Sequence, residues 1–388
     1  MKIAYVYDNV YPYYVGGVEK RIWEIGRRLS AKGHEVHWYC MKYWEEESVI
    51  YRDGMWLHGV CHPQQLFVNG RRSIYEALFF ASKLLVPLMK HKFDIIDVQN
   101  FPYFSVFTSK FYSLVKRSQL VITWHEVWDK YWYEYLGILG FFGFTVERMV
   151  SLSSGNMLAV SKSTITNLKK ISFKKSDIEL MPNGIDLKYI TNINPKGDVY
   201  DVIFAGRLIK EKGVHLLVEA IKIIKKIRPK VKCLIIGDGP EKNNIINLIK
   251  DLKLEENIKL SGFINEYEDL IAQIKQAKVF VLPSIREGFG MVVLEANASG
   301  IPVVTVNHNQ NAAKDLIVEG INGLISLVTP ADLAKKILVI INGGNVYKEQ
   351  CISFAEQYDW GKIVDLLECY YIKLNHANNI NCLLKTGD

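Results

Sequence analysis

The chain of 388 residues has no apolar run long enough to cross a membrane as a helix. Its longest apolar stretch, at 136–146, has eleven residues before Glu147, whereas a spanning helix needs about twenty. Residues 1–17 hold too short an apolar run for a signal peptide and predict a strand that enters a glycine loop. We therefore expect a cytoplasmic protein, with attachment to the cytoplasmic face of a membrane as the alternative location.

Several motifs that mark other classes of protein are also absent. The six cysteines contain no C-x-x-C pair, which favours a reducing compartment over a disulfide framework. No D-x-D motif occurs and the nine histidines lack metal-ligand spacing, so we expect neither a metal nor another cofactor. No run of five like charges appears, which argues against nucleic acid as a partner. The glycines at 237–241 do not complete a G-x-G-x-x-G motif, which disfavours a dinucleotide-dependent oxidoreductase.

The composition is that of an ordinary globular chain, with 49% hydrophobic and 23% charged residues, and its length allows two or three domains. The positive charge is concentrated in residues 1–185, which hold 23 Lys and Arg against 17 Asp and Glu. Such a surface can attract anionic lipid or a phosphorylated acceptor, or it can simply be solvated. Charge alone favours the solvated surface.

Strand and helix patterns alternate along the chain, which predicts an α/β protein with parallel sheets and crossover helices. In the first half, strands are predicted at 2–7, 35–40, 55–61, 94–99, 119–124, 156–161 and 177–181, and helices at 17–32, 73–90 and 137–153. Five further strands follow a stretch rich in Pro, Gly and Asn at 182–200, where we place a linker. We predict two Rossmann-like domains that face each other across a cleft, at 1–185 and 196–357, followed by an amphipathic helix within 358–388.

The segment 282–304 is the most informative part of the chain, because it places two carboxylates around a glycine-flanked turn. Gly288 and Gly290 allow bare backbone to approach a ligand, and a helix that opens near Gly290 offers its positive dipole end to an anion. Glu287 precedes this helix and Glu295 lies about five residues inside it, so both side chains can face one ligand. Each glutamate taken alone is equally compatible with a solvated helix.

A second candidate cluster is formed by Arg207 and Lys212, which lie where a predicted strand gives way to a loop. Ligands of open α/β sheets bind at the carboxyl ends of the strands, and two cations there can stabilise a diphosphate leaving group. Taken singly, these residues are more typical of an ordinary surface loop. Their position ahead of the glutamate pair favours a diphosphate site.

Two features of the first half are candidates for ligand contact. Gly16 and Gly17 lie between the first strand and the first helix, where they can bring backbone N–H groups near a phosphate or form a structural turn. His125 follows a predicted strand and can project from its carboxyl end or serve as a packed or capping residue. Spacing alone does not decide between these roles.

Together these motifs resemble those of the retaining glycosyltransferases of family 4, which have the GT-B fold. The matching features include a Glu-x7-Glu pair at Glu287 and Glu295, together with PNGID at 182–186, AGRL at 205–208 and IGDGP at 236–240. They occur in the family's order, and the resemblance covers nearly the whole chain. It is dense in the second half and sparse between about 40 and 120.

The resemblance implies a retaining, metal-independent transfer of a hexose from a nucleoside-diphosphate sugar to a glycan or lipid-linked acceptor. It assigns catalytic roles to His125 and Glu287, and donor contacts to Gly16, Gly17, Arg207, Lys212, Gly288, Phe289, Gly290 and Glu295. One departure concerns the loop at 307–316, where relatives have a glycine pair before an acidic residue and this chain has an Asn-rich sequence ending near Asp315. The identity of the donor sugar therefore stays open.

Two other functions share this scaffold. A nucleotide-sugar 2-epimerase would convert the donor without any acceptor, and a non-catalytic protein would bind the donor and release nothing. The aromatic segment at 126–146 also has two interpretations. It can pack inside its own domain, or it can hold a lipid-linked acceptor and contact a membrane interface.

Overall fold

In a computed structural model, residues 1–68, 71–172 and 177–385 are described. The chain divides into two compact units. Unit 1 comprises Met1–Pro182 together with Trp360–Asp388, and unit 2 comprises Asn183–Asp359. The last three residues of the range predicted at 358–388 lie outside the described part of the chain.

Unit 1 is built on an eight-stranded sheet in the order β10-β9-β8-β7-β1-β2-β4-β3, in which the strands pair in parallel except for β3 with β4. A small hairpin, β5–β6, stands apart from it. The strands of unit 1 are β1 Lys2–Val6, β2 Glu35–Cys40, β3 Val49–Arg52, β4 Met55–Gly59, β5 Phe67–Val68, β6 Arg71–Arg72, β7 Ile95–Gln99, β8 Gln119–Trp124, β9 Asn156–Ala159 and β10 Asp177–Leu180.

Helices cover both faces of this sheet, because successive side chains of each buried strand point to opposite faces. In β1, Ile3 and Tyr5 join one core cluster, whereas Ala4 and Val6 join the other. The first cluster includes α1, and the second includes residues of α2, α3, α5 and α6. These helices are α1 Gly17–Ala31, α2 Ile74–Met89, α3 Phe104–Lys116, α4 Tyr131–Leu136, α5 Gly140–Ser151 and α6 Lys162–Ile171.

Unit 2 contains a six-stranded parallel sheet in the order β13-β12-β11-β14-β16-β18, and a separate parallel pair, β15 with β17. Its strands are β11 Tyr200–Ala205, β12 Cys233–Ile236, β13 Ile258–Gly262, β14 Ala277–Leu282, β15 Arg286–Glu287, β16 Val303–Val306, β17 Gln310–Asn311 and β18 Gly323–Ser326. Its helices are α7 Leu187–Asn192, α8 Val214–Ile227, α9 Lys242–Asp251, α10 Tyr267–Ile274, α11 Met291–Ala298, α12 Pro330–Gly343 and α13 Lys348–Glu356.

The last helix, α14 Trp360–Lys385, follows unit 2 in sequence but belongs to unit 1. Trp360, Ile363, Leu367 and Tyr371 are buried in the core cluster that also contains α1. Their spacing of three or four residues places them on one face of the helix.

The predicted α/β architecture with parallel sheets is confirmed, and the predicted strands of the first half lie within one or two residues of the observed ones. Strand β3, the hairpin β5–β6 and strand β18 were not predicted, and no bounds were predicted for helices α3, α4 and α6. The helix predicted at 137–153 begins only at Gly140, because Gly137 has a φ of 63° that ends α4. The stretch 182–200, predicted as a linker, contains α7.

A buried acidic cluster lies at the carboxyl end of β1. Asp8 and Glu76 both form ion pairs with Arg72, and all three side chains are largely inaccessible to solvent. Glu19, in the first turn of α1, is also buried, and this burial together with the nearby Asp8 carboxylate raises its pKa to about 7. Burial likewise raises the pKa of Glu76 to about 8, with the charge of Asp8 as the second cause.

The raised pKa of Glu19 predicts a loss of stability as pH rises. Below the ordinary glutamate pKa of 4.5 the side chain is protonated in both the folded and the unfolded chain, whereas above 7 the folded chain must bury a carboxylate. Between pH 5 and 8, the wild type should lose about 3 kcal/mol of unfolding free energy more than Glu19→Gln, at about 1.4 kcal/mol per pKa unit. Urea unfolding followed by tryptophan fluorescence reports unit 1, because all eight tryptophans belong to it.

The exposed Glu46 supplies the matched control. Glu46→Gln should retain the pH dependence of the wild type. Equal pH slopes for wild type and Glu19→Gln would show that Glu19 does not carry the burial cost described here.

Candidate active site

The residues singled out in the second half of the sequence lie at one edge of the unit 2 sheet. Strands β11, β12, β14 and β16 are parallel neighbours, so their carboxyl ends meet at the same edge. The loop after β11 contains Arg207 and Lys212, and the loop after β12 contains the glycines at 237–239. The segment 283–290 follows β14, and the Asn-rich sequence at 307–316 follows β16. This is the edge at which ligands of open α/β sheets bind.

Glycines bring the first two of these loops into direct backbone contact. Gly237 has a φ of 139°, and a Cβ atom at this position would lie 1.9 Å from the carbonyl oxygen of Gly206. A Cβ at Gly239 would lie 2.4 Å from the carbonyl oxygen of Leu208. The main-chain bonds from Gly206 N to Ile236 O and from Leu208 N to Asp238 O hold the two loops together. The two loops therefore lie in direct backbone contact at this edge, which only glycine permits at positions 237 and 239.

The loop after β11 is also tied to the loop after β14. Residues Lys210–Lys212 form a single 3-10 turn that ends at Gly213, whose φ of 61° starts α8. A Cβ at Gly213 would lie 2.4 Å from the carbonyl oxygen of Pro283. The amide of Ile285 donates to the carbonyl of Glu211 over 2.9 Å. The position of Lys212 is thus fixed relative to the segment that carries Glu287.

Lys212 and Glu287 form an ion pair through Nζ and Oε1. Their side chains are 21% and 11% exposed, respectively, so the pair is shielded but still reachable from solvent. Glu287 is held by the pairing of β15 with β17, in which it stands opposite Asn311. The structure therefore joins two residues that belong to separate predicted clusters in the sequence.

Gly288, Phe289 and Gly290 lead from β15 into α11. Gly290 has a φ of 92°, and a Cβ here would lie 2.7 Å from Cβ of Ala313. Phe289 is buried, with its ring 6.4 Å from that of Tyr358. Helix α11 then begins at Met291, so its N-terminus is at the edge that carries Glu287. The partial positive charge of this terminus favours an anionic group nearby.

Glu295 lies within α11 and is buried. Tyr267, at the start of α10, donates from its hydroxyl to Glu295 Oε1 over 2.9 Å. No local sequence pattern indicates Tyr267, because its partner lies 28 residues further along the chain. The tyrosine ring also stacks on Tyr189, with centroids 6.2 Å apart. The carboxylate is therefore held by a side chain outside the predicted motif.

Arg207 and Asp315 lie at the same edge with different exposure. Arg207 is exposed two residues beyond β11, whereas Asp315 is half-buried in the 3-10 turn Ala312–Leu316. That turn is capped by Asn311, whose side-chain oxygen accepts from the amide of Ala313 over 3.1 Å and whose nitrogen donates to the carbonyl of Val306 over 2.8 Å. At this asparagine the unusual loop serves to hold its own backbone.

The remaining predicted residues belong to unit 1. Gly16 caps the N-terminus of α1 in an extended conformation, and a Cβ there would lie 2.4 Å from Oε2 of Glu19. Gly17 is the first residue of the helix. His125 follows β8, and its Nε2 lies 2.7 Å from Oε1 of Gln99. Burial, with the nearby Arg21 as a lesser cause, lowers the pKa of His125 to about 3, so that its ring is neutral at ordinary pH.

One part of the aromatic segment at 126–146 packs inside unit 1, and another part is exposed to solvent. Trp132 is buried, whereas the turn before α5 and the first part of that helix expose apolar side chains. The most exposed of these are Ile138, at 93%, Leu139, Phe141 and Phe142. Within the described residues, no helix is both long and apolar enough to cross a membrane. Nor does the described part of the chain contain a group of three or more His, Cys, Asp or Glu residues that could hold a metal ion.

Two family models match the chain, one to each half. The model for glycosyl transferases group 1 matches residues 188–358, and that for glycosyltransferase family 4 matches residues 15–189.

Curated relatives include the capsular polysaccharide biosynthesis glycosyltransferase CapM of Staphylococcus aureus, 30% identical over 257 residues. This match spans 58% of the chain and 65% of CapM, just under two thirds of the relative. A second relative is the Escherichia coli UDP-Gal:alpha-D-GlcNAc-diphosphoundecaprenol alpha-1,3-galactosyltransferase, 27% identical over 53% of the chain and 57% of that protein.

Among solved structures, Anabaena HepE in complex with UDP superposes on the chain with a TM-score of 0.74. The match covers 96% of this chain and 100% of HepE at 18% identity, and its TM-score establishes a common fold.

The close backbone approach at Gly237 predicts that a methyl group there is strongly destabilising. Gly237→Ala should lower the unfolding free energy of unit 2 by about 2–4 kcal/mol, because the carbonyl of Gly206 cannot move away without breaking the bond to Ile236. Far-UV circular dichroism in urea measures the loss, with tryptophan fluorescence as the report on unit 1. Gly343→Ala is the control, since a Cβ at Gly343 meets only an ordinary contact at 3.6 Å. Equal stability of the two variants would contradict the packing described here.

Proposed function

Because the chain belongs to the family 4 glycosyltransferases of the GT-B fold, we propose that it is an active retaining hexosyltransferase. Its donor is a nucleoside-diphosphate sugar, and its acceptor is a hydroxyl of an oligosaccharide or a lipid-linked glycan. The names of the relatives support these classes: CapM is assigned to capsular polysaccharide biosynthesis, and the E. coli enzyme to a UDP-linked donor and a diphosphoundecaprenol-linked acceptor. HepE was solved with UDP.

The observation that carries the proposal is the Lys212–Glu287 ion pair at the carboxyl edge of the unit 2 sheet. A nucleotide sugar presents anionic phosphates beside neutral hydroxyl groups, so it needs a cation and a carboxylate side by side. On binding, the Lys212 ammonium turns to the diphosphate, and the freed Glu287 carboxylate accepts hydrogen bonds from the sugar. Glu295, held by Tyr267, accepts from the ribose hydroxyls.

The chemical step breaks the bond between the anomeric carbon and the diphosphate oxygen, and the electron pair stays on the leaving group. Arg207, Lys212 and the N-terminus of α11 stabilise this developing charge, a task that a divalent ion performs in other transferases. We therefore propose that the reaction needs no metal. The acceptor oxygen bonds to the anomeric carbon on the face from which the diphosphate leaves, and the acceptor proton passes to the departing phosphate. For unit 1, we propose that His125 contacts hydroxyls of a sugar substrate.

Acceptor dependence separates this function from its two alternatives. A transferase releases nucleoside diphosphate faster when acceptor is added, a 2-epimerase converts the donor without acceptor, and a binding protein does neither. The test incubates the purified protein with UDP-, GDP- and ADP-sugars, with and without a membrane lipid extract, and measures free nucleoside diphosphate and transferred sugar. Release that requires one donor and rises with lipid supports the proposal. Epimerised donor, or tight binding without release, contradicts it.

The proposed site predicts the effect of removing its charged groups. Arg207→Ala and Glu287→Ala should each lower kcat/KM by at least about 100-fold, because the first loses a cation that stabilises transition-state charge and the second loses the carboxylate that holds the sugar. Circular dichroism should be unchanged, because Arg207 is exposed and Glu287 lies in a two-residue strand. Lys210→Ala is the control, since Lys210 is an exposed cation in the same turn as Lys212. Near wild-type turnover in either site variant would exclude the assignment.

Unit 1 supplies a surface for the lipid-linked part of the acceptor. The exposed apolar side chains Ile138, Leu139, Phe141 and Phe142 form the outward side of the aromatic segment. They occur in the basic half of the sequence, where Lys and Arg outnumber Asp and Glu by 23 to 17 over residues 1–185. Apolar insertion combined with a positive charge is the pattern of proteins that bind anionic lipid surfaces. This surface brings the enzyme to membrane-bound acceptors.

If this surface contacts membranes, removing one of its exposed aromatic side chains should weaken binding to lipid vesicles. Phe142→Ser should weaken binding to vesicles of phosphatidylglycerol and phosphatidylethanolamine by about tenfold, the scale of one inserted aromatic side chain. Phe142 and the unit 2 residue Phe263 are 67% and 68% exposed, so Phe263→Ser is a matched control that should bind as the wild type does. Cosedimentation measures both. Equal binding by the two variants would contradict the proposed contact.

A further inference from the structure

A chain of hydrogen bonds runs through the interior of unit 1 from the last helix to His125. Tyr371 of α14 donates from its hydroxyl to Asp97 Oδ2 over 2.6 Å. Gln99 donates from Nε2 to Asp97 Oδ1 over 3.0 Å, and its own Oε1 lies 2.7 Å from His125 Nε2. The side chains of Asp97, Gln99 and Tyr371 are buried, so water does not compete for these bonds.

Asp97 determines which group donates and which accepts in each of these hydrogen bonds. An ionised carboxylate only accepts hydrogen bonds, and Asp97 accepts them from Tyr371, from Gln99 and from the Thr123 hydroxyl at 2.7 Å. Gln99 must therefore turn its amide nitrogen to Asp97 and its oxygen to His125. Since that oxygen needs a donor, the proton of the neutral imidazole is on Nε2 and the lone pair is on Nδ1.

The surrounding charges maintain this state. The guanidinium of Arg21 is buried beside the network and donates from Nη1 to the carbonyl of Pro182 over 2.7 Å. Burial raises the pKa of Asp97 to about 6, whereas its three donors and Arg21 act in the opposite direction, so the carboxylate is ionised at pH 7.5. Within the described part of the chain, His125 Nδ1 has no hydrogen-bond partner.

We infer that Asp97 and Gln99 are positioning residues that fix His125 as the Nε2–H tautomer, so that Nδ1 presents a lone pair to a hydroxyl of a bound sugar. Tyr371 holds Asp97 in the orientation this requires. The inference rests on the proposed role of His125 and extends it to a specific atom. It also gives α14 a function, because this helix supplies Tyr371, whose hydroxyl donates to Asp97 although the two residues are 274 positions apart in the sequence.

The hydrogen bonds that run from Tyr371 through Asp97 and Gln99 to His125 are called the relay below. Two substitutions test the relay without greatly changing the size of a side chain. In Asp97→Asn, the new amide removes the fixed acceptor, so that Gln99 can turn over and present N–H to His125. In Tyr371→Phe, Asp97 keeps its charge but loses its donor from α14. Tyr112→Phe is the matched control, because Tyr112 is equally buried in unit 1 and its hydroxyl donates to the carbonyl of His91, outside this network.

The readout is the tautomer of His125, measured on the full chain with 15N-labelled histidine and assigned by its disappearance in His125→Ala. The wild type and Tyr112→Phe should show the Nε2–H tautomer alone. Asp97→Asn should give at least about one part in five of the Nδ1–H form, and its kcat should fall roughly 10- to 100-fold with little change in the donor KM. Tyr371→Phe should shift both quantities in the same direction but less.

The outcomes separate this inference from the proposed function. If His125→Ala abolishes transfer while Asp97→Asn and Tyr371→Phe keep the wild-type tautomer and kcat, the relay is wrong and the proposed function stands. If His125→Ala transfers at the wild-type rate, His125 has no role with the donor and the inferred contact at Nδ1 fails with it. If Asp97→Asn does not fold, Tyr371→Phe decides: an unchanged tautomer and kcat there overturn the relay.

Discussion

The ion pair between Lys212 and Glu287 is the interaction on which the candidate site depends. It joins the loop after β11 to the loop after β14, and the backbone bond from Ile285 to Glu211 reinforces the same junction. Because the carboxylate already has a cationic partner, its burial is tolerated before any ligand arrives. A ligand that carries its own negative charge can then take over the lysine. The resting structure thus holds Lys212 and Glu287, the groups proposed to bind the donor, in place as a paired cation and carboxylate.

Glycine makes this arrangement possible at the level of the backbone. The contacts of Gly237 with Gly206 and of Gly213 with Pro283 leave no room for side chains. The three loops therefore reach their positions through main-chain packing, and the side chains of Lys212 and Glu287 are free to face a ligand. In unit 1, hydrogen bonds between buried polar side chains hold the candidate residue His125 in position. The side chains of Asp97, Gln99 and His125 are held by hydrogen bonds to one another.

Local sequence pattern was sufficient for the parts of the structure that depend on local chemistry. Buried strands were predicted from their apolar runs. The turn into α11 was predicted from Gly288 and Gly290, which lie between Glu287 and Glu295. It was not sufficient where partners are distant in the chain. Tyr267 contacts Glu295 across 28 positions and Tyr371 contacts Asp97 across 274, and nothing near either tyrosine specifies its partner. The short strand β3 also escaped prediction, because its alternating half-exposed residues resemble a loop.

The central claim is that a nucleotide sugar binds at the carboxyl edge of the unit 2 sheet. Hydrogen exchange measured by mass spectrometry, with and without saturating nucleoside diphosphate, tests it directly. The account predicts slower exchange in peptides that cover 206–213 and 286–296, and unchanged exchange in peptides from α12 and α13. Protection confined to other parts of the chain, under conditions where binding is measurable, would contradict it.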